Sequence, residues 1–549
     1  MHRWISYRSG ARLACEILVA ATAAYFVARY CLMVSIQMGR LSLPADYDDV
    51  AYLSSAQQWL NETPMHGIFG NLLALINQHA PIATALAALS FALGGAVDWP
   101  PYVANGVLLA LTVLGAMLFL KAEKLPLWLA GFLALCLVAV PFFQQAVTEF
   151  RPDPFAGMAI AFCMLLLFRA PVFSLSRNRQ FALGLLFGAA LLMKPSVFLA
   201  AGFILAVAVL SSCAGFLIER KLKLREQAGS IVRSLGWLLA GAMVVFGPYL
   251  IAQGGAILGY TYMALFTLAD VNDFNGSFAQ HASFYATGLG GGGIALGPWF
   301  WLGTMTMAAR LVATWRNDPQ RLPSLGAGYA ALLVIYLVLT LTAVKHYFLG
   351  SMFYATFSLF MLRDLAWLLP RAFVNVDGLN FPYGIVVLLI FLAVQTVFVP
   401  ASVLVTAVPD PAYRDTVRSA TLLVWQVAKD KSAAADGVPA PVTILTNTGN
   451  PVRVPAIALQ GMRERQDVRF SDGLYVRSVE EFLALAEKAD IIVVSRPIGD
   501  PYPGSRLGDA LQTAMAESKQ FRSVASIADG FVRLYERADT SAPSASAAP

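Results

Sequence analysis

The sequence predicts a polytopic α-helical membrane protein of about eleven transmembrane helices, followed by a small α/β domain. Of its 549 residues, 58% are apolar and only 13% are charged, whereas about a quarter of a typical soluble domain is charged. Long uncharged segments recur as far as about residue 408, as expected for membrane-spanning helices. After Pro409 the composition becomes that of a soluble domain.

Hydropathy predicts where the spans lie. The first apolar segment is too long for a cleaved signal peptide, so we expect it to be retained as a span. The eleven predicted spans cover residues 13–36, 102–120, 127–147, 154–169, 180–193, 195–213, 231–252, 294–313, 324–343, 348–368 and 381–408.

Loop charge decides whether the further apolar segment 81–97 crosses the membrane. If it does not cross, every basic loop lies on the cytoplasmic side, as the positive-inside tendency requires. These loops carry Lys121 and Lys124; Arg169, Arg177 and Arg179; Arg220, Lys221, Lys223 and Arg225; Arg310, Arg316 and Arg321; and Arg363 and Arg371. The sequence therefore predicts a cytoplasmic N-terminus and a C-terminal domain on the outer side.

Net charge and cysteine content exclude two kinds of site. The formal charge of +6 does not require a nucleic acid partner, because membrane proteins concentrate Lys and Arg in their cytoplasmic loops. All five cysteines lie in or beside apolar segments, and none follows residue 213. We therefore expect neither a disulfide framework nor a cysteine-based metal site.

A short acidic stretch in the first outer loop, residues 37–101, is the strongest functional candidate. Asp46, Asp48 and Asp49 directly follow the first span, and a charge kept near a bilayer is costly. Alternatively, Asp46 caps a surface helix that starts at Tyr47 and has Asp49 in its first turn. A cap needs only one aspartate, so we favour a catalytic or substrate-facing role for this stretch.

Charged residues in other outer loops are predicted to reach the same face. Asp153 and Arg151 lie in the short second outer loop, and Lys194, Lys345 and His346 lie in later turns between spans. The cations could bind an anionic lipid headgroup at the membrane boundary. The alternatives are an ion pair at a helix boundary for Asp153 and Arg151, and snorkelling for the lysines.

A third outer loop, residues 253–293, is predicted to form a lid. It carries Asp270, His281 and Tyr285 and ends in the glycine run Gly288–Gly293. The run lacks the Gly-Lys-Ser/Thr ending of a phosphate-binding loop, so we interpret it as a flexible hinge.

The soluble domain is predicted at residues 409–540, before a disordered tail at 541–549. Segments 442–447, 490–495 and 531–535 have the pattern of strands, and segments 478–489 and 507–518 that of helices. The domain shows no catalytic constellation, so acceptor binding or scaffolding is its expected role.

Three motifs in this order resemble those of the GT-C class of membrane glycosyltransferases, especially the group of protein O-mannosyltransferases and lipid A aminoarabinose transferases. Asp48-Asp49-Val50-Ala51-Tyr52 resembles the family's Asp-Glu-x-x-Tyr/Phe motif, Gln78-His79-Ala80-Pro81 its His-Pro-Pro motif, and Asp153-Pro154-Phe155 its Asp-Pro. Asp49 stands in place of a glutamate and Ala80 in place of a proline. These departures argue against the eukaryotic protein-mannosylating branch.

The resemblance implies an inverting transferase of the bacterial cytoplasmic membrane, with its C-terminal domain in the periplasm. It would move a hexosyl or pentosyl group from a polyprenyl-phosphate donor to a lipid, glycan or protein acceptor. A carboxylate must then deprotonate the acceptor hydroxyl, and cations must stabilise the leaving phosphate. We expect Asp48 as the base, with Asp49 and Asp153 orienting the acceptor.

The remaining expected roles concern the phosphate, the acceptor and a metal. The phosphate ligands are Lys194, Lys345, His346 and Arg151. The acceptor and lid residues are Tyr52, His79, Asp270, His281 and Tyr285. A divalent cation on Asp48 and Asp153 is compatible with carboxylate chemistry, but carboxylates alone do not identify a metal; no other cofactor is expected.

Two rival functions remain open at this stage. A lipid-substrate transporter or flippase would show internal repeats, which residues 1–200 and 200–400 lack. An O-antigen polymerase or ligase also uses a lipid-carried sugar. Enzymes of that kind rely on a late outer loop rich in Arg and His, whereas residues 253–293 contain no Arg or Lys.

Overall fold

The computed structural model describes residues 10–45, 47–62, 67–263, 274–342, 344–369, 389–390, 392–396, 408, 410–433, 440–497 and 502–538. The chain forms two compact units. The bundle unit comprises Met1–Ser35, Leu72–Leu93 and Trp99–Thr406, and the sheet unit comprises Ile36–Asn71, Gly94–Asp98 and Ala407–Pro549. The sequence-based division kept the whole first outer loop with the membrane domain, whereas the structure groups much of that loop with the C-terminal residues.

Helices account for most of the described chain. In the first half they are α1 (Gly10–Gln37), α2 (Tyr47–Glu62), α3 (Gly67–Ile76), α4 (Pro81–Gly94), α5 (Pro100–Ala122), α6 (Leu127–Leu137), α7 (Pro141–Thr148), α8 (Asp153–Arg169), α9 (Arg177–Met193), α10 (Phe198–Glu219) and α11 (Leu224–Tyr262). The second half contains α12 (Phe278–Ser283), α13 (Gly292–Ala295), α14 (Pro298–Asn317), α15 (Leu322–Thr340), α16 (Ser351–Leu368), α17 (Pro411–Ala433), α18 (Val454–Glu464), α19 (Val479–Ala486), α20 (Pro503–Arg506) and α21 (Gly508–Glu517).

Several helices are long and apolar enough to cross a membrane, as the hydropathy pattern predicts. Among the described residues there are five, and six if α6 and α7, which meet at 62°, count as one broken span. The five are Leu13–Gln37, Pro100–Ala122, Pro195–Glu219, Leu224–Tyr262 and Pro319–Thr340. The count of eleven stays a prediction, and most of the predicted span 381–408 lies outside the described residues.

Helix α4 covers the segment that was predicted not to cross. It has only 14 residues, whereas about 20 are needed to span the hydrocarbon core. Its length therefore agrees with a juxtamembrane position. The topology that depends on this segment stays a prediction.

Close helix contacts through glycines align the bundle. A Cβ on Gly184 of α9 would lie 2.0 Å from the carbonyl oxygen of Leu238 in α11, so only glycine permits this approach. A Cβ on Gly157 of α8 would lie 2.6 Å from the carbonyl oxygen of Ser351 at the start of α16. The first turns of α8 and α16 are therefore side by side, which brings the loops before them together.

The sheet unit contains one five-stranded sheet. Its strands are β1 (Val442–Thr446), β2 (Val468–Asp472), β3 (Ile491–Ser495), β4 (Phe521–Ile527) and β5 (Val532–Arg537). Their spatial order is β2-β1-β3-β5-β4; β1 pairs in parallel with β2 and β3, and β5 pairs antiparallel with β3 and β4. Helix α2 belongs to this unit and packs against α18.

Candidate active site

An ion pair between two helix ends forms the centre of the candidate site in the bundle unit. Asp153 is the first residue of α8, where a carboxylate is stabilised by the helix dipole. Lys194 follows the last residue of α9 and precedes Pro195, which cannot continue the helix hydrogen bonds. The Asp153 Oδ2 atom lies 3.3 Å from Lys194 Nζ, and Asp153 is only 5% exposed.

A cavity of about 190 Å³ lies beside this pair. It is lined by Asn77, His79, Pro195, Ser196, Tyr249, Gln253, Ala256, Ile257 and Tyr260. Pockets that enclose a whole small molecule typically measure about 300–1,000 Å³. This cavity is therefore of a size to hold one part of a larger ligand, such as its charged group.

Helix α11 and the turn before α4 form opposite walls of the cavity. The Tyr249 hydroxyl donates to the backbone oxygen of His79 at 3.2 Å, and Gln253 Nε2 donates to Asn77 Oδ1 at 3.0 Å. The His79 and Tyr260 rings meet edge to face at 5.7 Å. Tyr249, Gln253 and Tyr260 were not predicted as site residues. For Gln253 and Tyr260 the reason is that the sequence pattern ended this helix near residue 252, whereas the structure continues it to Tyr262.

His79 experiences the charges of both members of the ion pair. Burial of the imidazole lowers its pKa, the positive charge of Lys194 lowers it further, and Asp153 acts in the opposite direction. A lowered pKa keeps the imidazole neutral at neutral pH.

Glu149 organises the second outer loop, although the sequence analysis did not single it out. Its carboxylate lies 3.2 Å from Arg151 Nε and accepts hydrogen bonds from Gln145 Nε2 at 3.0 Å and from the Tyr347 hydroxyl. The Arg151 guanidinium lies 4.3 Å from the centre of the Phe348 ring. Glu149 thus joins the loop before α8 to the turn before α16. A buried carboxylate two residues from a predicted phosphate ligand was the available signal.

Lys345 is placed differently from the prediction. Its ammonium is buried and donates to the carbonyl oxygens of Leu339 at 2.9 Å and Thr340 at 2.7 Å, and to that of Thr342. These carbonyls belong to the last turn of α15 and the residues after it, where a cation is favourable. The Lys345 ammonium also lies 5.5 Å from the Tyr285 ring. The structure therefore makes Lys345 a helix C-cap.

The glycine run, which was predicted to be a flexible hinge, forms a closely packed turn. Gly291 and Gly292 are buried, and a Cβ on Gly292 would lie 2.3 Å from the carbonyl oxygens of both Tyr285 and Ala286. The glycines permit a tight turn that folds over these residues. Tyr285 is fully buried, whereas His281 packs edge to face against Phe274 at 5.2 Å.

Two further predicted residues complete the account of the later loops. His346 is exposed and its ring stacks on Phe348 at 5.1 Å. Asp270 lies outside the described residues. Its predicted role therefore stays a prediction.

The acidic stretch lies in the sheet unit. Asp49 is buried, and its Oδ2 atom lies 3.1 Å from Arg40 Nη2. Asp48 is half-buried in the first turn of α2, and Tyr52 is buried one turn later. Asp48 is therefore the more solvent-accessible of the two carboxylates. Asp46, the proposed helix cap, lies outside the described residues.

The described residues contain no group of three or more His, Cys, Asp and Glu side chains placed to hold a metal ion. A divalent cation therefore remains a proposal from the carboxylate chemistry alone.

Among known proteins, only solved structures were found to be similar to this chain. No protein-family model matches the sequence, and no curated protein matches it significantly. ArnT from Cupriavidus metallidurans bound to undecaprenyl phosphate superposes with a TM-score of 0.56 at 14% identity, covering 94% of this chain and 98% of that one. Its apo state gives a TM-score of 0.54 at 14% identity, over 93% and 96%.

A second kind of enzyme shares the architecture. The archaeal oligosaccharyltransferase AglB from Archaeoglobus fulgidus, in complex with an inhibitory peptide and a dolichol-phosphate, gives a TM-score of 0.51 at 11% identity, over 95% of this chain and 75% of that one. At such low identities the similarity establishes the fold. The chain therefore shares the fold of ArnT and of this oligosaccharyltransferase, in agreement with the resemblance that the sequence motifs indicated.

Proposed function

We propose that the protein is a membrane glycosyltransferase that moves a sugar from a polyprenyl-phosphate donor to an acceptor hydroxyl. The observation that carries the proposal is the Asp153–Lys194 ion pair beside the cavity, in a fold shared with ArnT bound to undecaprenyl phosphate. The Lys194 ammonium has three N–H donors, so it can contact a phosphate oxygen while it stays paired with Asp153. A cation held in this way at a helix end suits a site that receives and releases an anion.

Lys194 would stabilise the leaving group. As the bond between the sugar and the phosphate breaks, negative charge grows on the lipid phosphate, and a cation already in place needs no reorganisation. Arg151, held by Glu149, is the second candidate. Lys345 is a weaker candidate for this role, because its ammonium donates to three backbone carbonyl oxygens.

Asp48 would take the proton of the acceptor hydroxyl as the new glycosidic bond forms. An acceptor hydroxyl is a weak nucleophile at neutral pH, so a positioned base is required. One displacement assisted by one base inverts the anomeric carbon. The predicted outer-face position, the bacterial cytoplasmic membrane and the identity of sugar and acceptor belong to this proposal.

Mass spectrometry of lipids extracted from the purified protein tests the donor class. We expect a polyprenyl phosphate, or its sugar ester, to co-purify with the wild type and to be depleted in Lys194→Met. The surface glycans of a deletion strain should lack one sugar. Unchanged glycans together with a bound lipid of another class would refute the proposed function.

Asp48→Asn tests the base. The amide keeps the size of the carboxylate but cannot accept the proton, and positioned bases contribute about 10²–10⁴-fold. Transfer should therefore nearly vanish while lipid binding persists. Asp46→Asn is the matched control, because asparagine caps a helix about as well as aspartate. Normal transfer by Asp48→Asn would move the base assignment to Asp49 or Asp153.

A further inference from the structure

The segment that leads into the acidic stretch is held by arginines of the C-terminal domain. Arg414 Nη1 donates to the carbonyl oxygen of Gln37 at 3.0 Å. Arg418 donates to the carbonyl oxygen of Ser42 through Nε at 3.2 Å and Nη2 at 3.0 Å. Arg453 donates to the carbonyl oxygen of Pro44. Three guanidinium groups thus bind the backbone within the eight residues before Ala45.

Close packing accompanies these hydrogen bonds. Gly39 has a φ of +92°, and a Cβ there would lie 2.4 Å from Arg414 Cδ. The backbone N–H of Val408 donates to the carbonyl oxygen of Met38 at 2.8 Å. Only a glycine allows the chain to turn this close to the arginine. The segment is therefore fitted to α17 as well as bonded to it.

Both ends of α2 are attached to the same helix of the C-terminal domain. Arg453 immediately precedes α18 and binds Pro44, ahead of α2. At the other end, Asn61 Nδ2 donates to the carbonyl oxygen of Met462 at 3.0 Å. The two helices therefore run side by side in the same direction, and Val50, Leu53 and Ala56 of α2 are buried. Asp48 is on a helix whose position α18 sets.

We infer that the C-terminal domain is a positioning device for Asp48, with Arg453 as its central positioning residue. Arg453 is 5% exposed, and its guanidinium binds the backbone four residues before Asp48. A misplacement of about 1 Å of a catalytic group can cost about 10²-fold in rate. The inference rests on the proposed role of Asp48 as the base. Of the two roles expected for this domain, acceptor binding and scaffolding, the inference favours scaffolding.

Arg453→Met tests the inference in the full-length protein in detergent micelles. Methionine keeps part of the apolar stem and removes every donor. We expect kcat for sugar transfer to fall about 10–100-fold, the donor KM to stay within about twofold, and amide hydrogen exchange in residues 37–50 to accelerate. Arg453→Lys, which restores one donor, should recover part of both effects.

The matched control is Arg496→Met, which removes an exposed arginine of the same unit that pairs with Asp509. It should change neither kcat nor exchange in residues 37–50. If Arg453→Met does not fold, the same measurements on Arg418→Met test the inference instead. Arg418 is more exposed, so its replacement should be tolerated better. Unchanged kcat and unchanged exchange in the folded variant would overturn the inference. A wild type without transferase activity would instead refute the proposed function, and the exchange experiment would still test the attachment.

Discussion

Two buried aspartates of the bundle unit, Asp153 and Asp364, differ in how their charge is compensated. Asp364, near the C-terminal end of α16, is 0% exposed and is bound by side chains from three helices. Arg310 of α14 and Arg363 Nε, at 2.9 Å, bind Oδ1, and the Tyr329 hydroxyl of α15 donates to Oδ2 at 2.8 Å. Asp153 pairs with Lys194 beside a cavity.

The difference separates a structural cluster from a candidate functional pair. A buried charge is tolerated when several donors satisfy it, and removing one partner is then costly because the others are left uncompensated. The cluster at Asp364 fits this description and borders no cavity among those described. The pair at Asp153 lies next to Pro195 and Ser196, which line the cavity. Charge burial alone therefore does not identify the site.

Asp364→Asn should have the largest effect on stability. Loss of the carboxylate leaves the guanidinium groups of Arg310 and Arg363 close together, and breaking such a pair costs about 3–5 kcal/mol. Thermal unfolding in detergent would measure the change, and turnover per folded molecule should stay normal. Asp318→Asn, which removes an exposed pair with Arg321, is the control and should cost at most about 1 kcal/mol. Equal stability of the two variants would show that the buried cluster at Asp364 is not a structural cluster of the kind described.

Lys194→Met should have the next largest effect. It should lower the rate of sugar transfer and leave the stability of the protein nearly unchanged. Loss of a charged contact that strengthens in the transition state costs about 2–4 kcal/mol, which lowers transfer at subsaturating donor by about 30–1,000-fold. Measured rates against donor concentration would show it, while acceptor affinity stays nearly unchanged. Wild-type rates at low donor would make Lys194 an interface anchor.

Lys345→Met is the contrasting variant. Because its ammonium caps α15, we expect a lower unfolding temperature and little change in the donor requirement. An effect on donor use as large as that of Lys194→Met would restore the sequence-based assignment of Lys345 to the phosphate.

Glu149→Gln should have a smaller effect than Asp364→Asn has on stability or Lys194→Met has on transfer. The amide can still accept from the Tyr347 hydroxyl but loses the ionic contact with Arg151, and hydrogen bonds to charged groups contribute about 1.5–3 kcal/mol. We expect a raised donor KM with a smaller change in kcat. A variant that loses only stability would place Glu149 with Asp364 in the structural class.

The sequence predicted the helical membrane fold and the motif positions, since hydropathy and motif order are local properties. It missed the last turns of α11, because Gly254 and Gly255 favour a loop while packing of Tyr249 and Ile257 extends the helix. It did not show that the Lys345 ammonium donates to carbonyl oxygens at the end of α15, because no sequence pattern tells whether an ammonium faces a ligand or a helix end. Glu149 was overlooked because its partner Tyr347 lies 198 residues away. The predicted roles of the site residues stay predictions.

The length of α11 has a consequence for where a lipid would meet the protein. Its 39 residues rise about 58 Å, about twice the thickness of the hydrocarbon core. Arg233 is the last charged residue of the helix, and Gln253 stands about 30 Å further along the axis. If the uncharged residues between them fill the hydrocarbon, Gln253, Ile257 and Tyr260 would stand among the lipid headgroups. An isoprenoid chain could then stay dissolved in the bilayer while its phosphate is presented at the depth of the cavity, without extraction from the membrane.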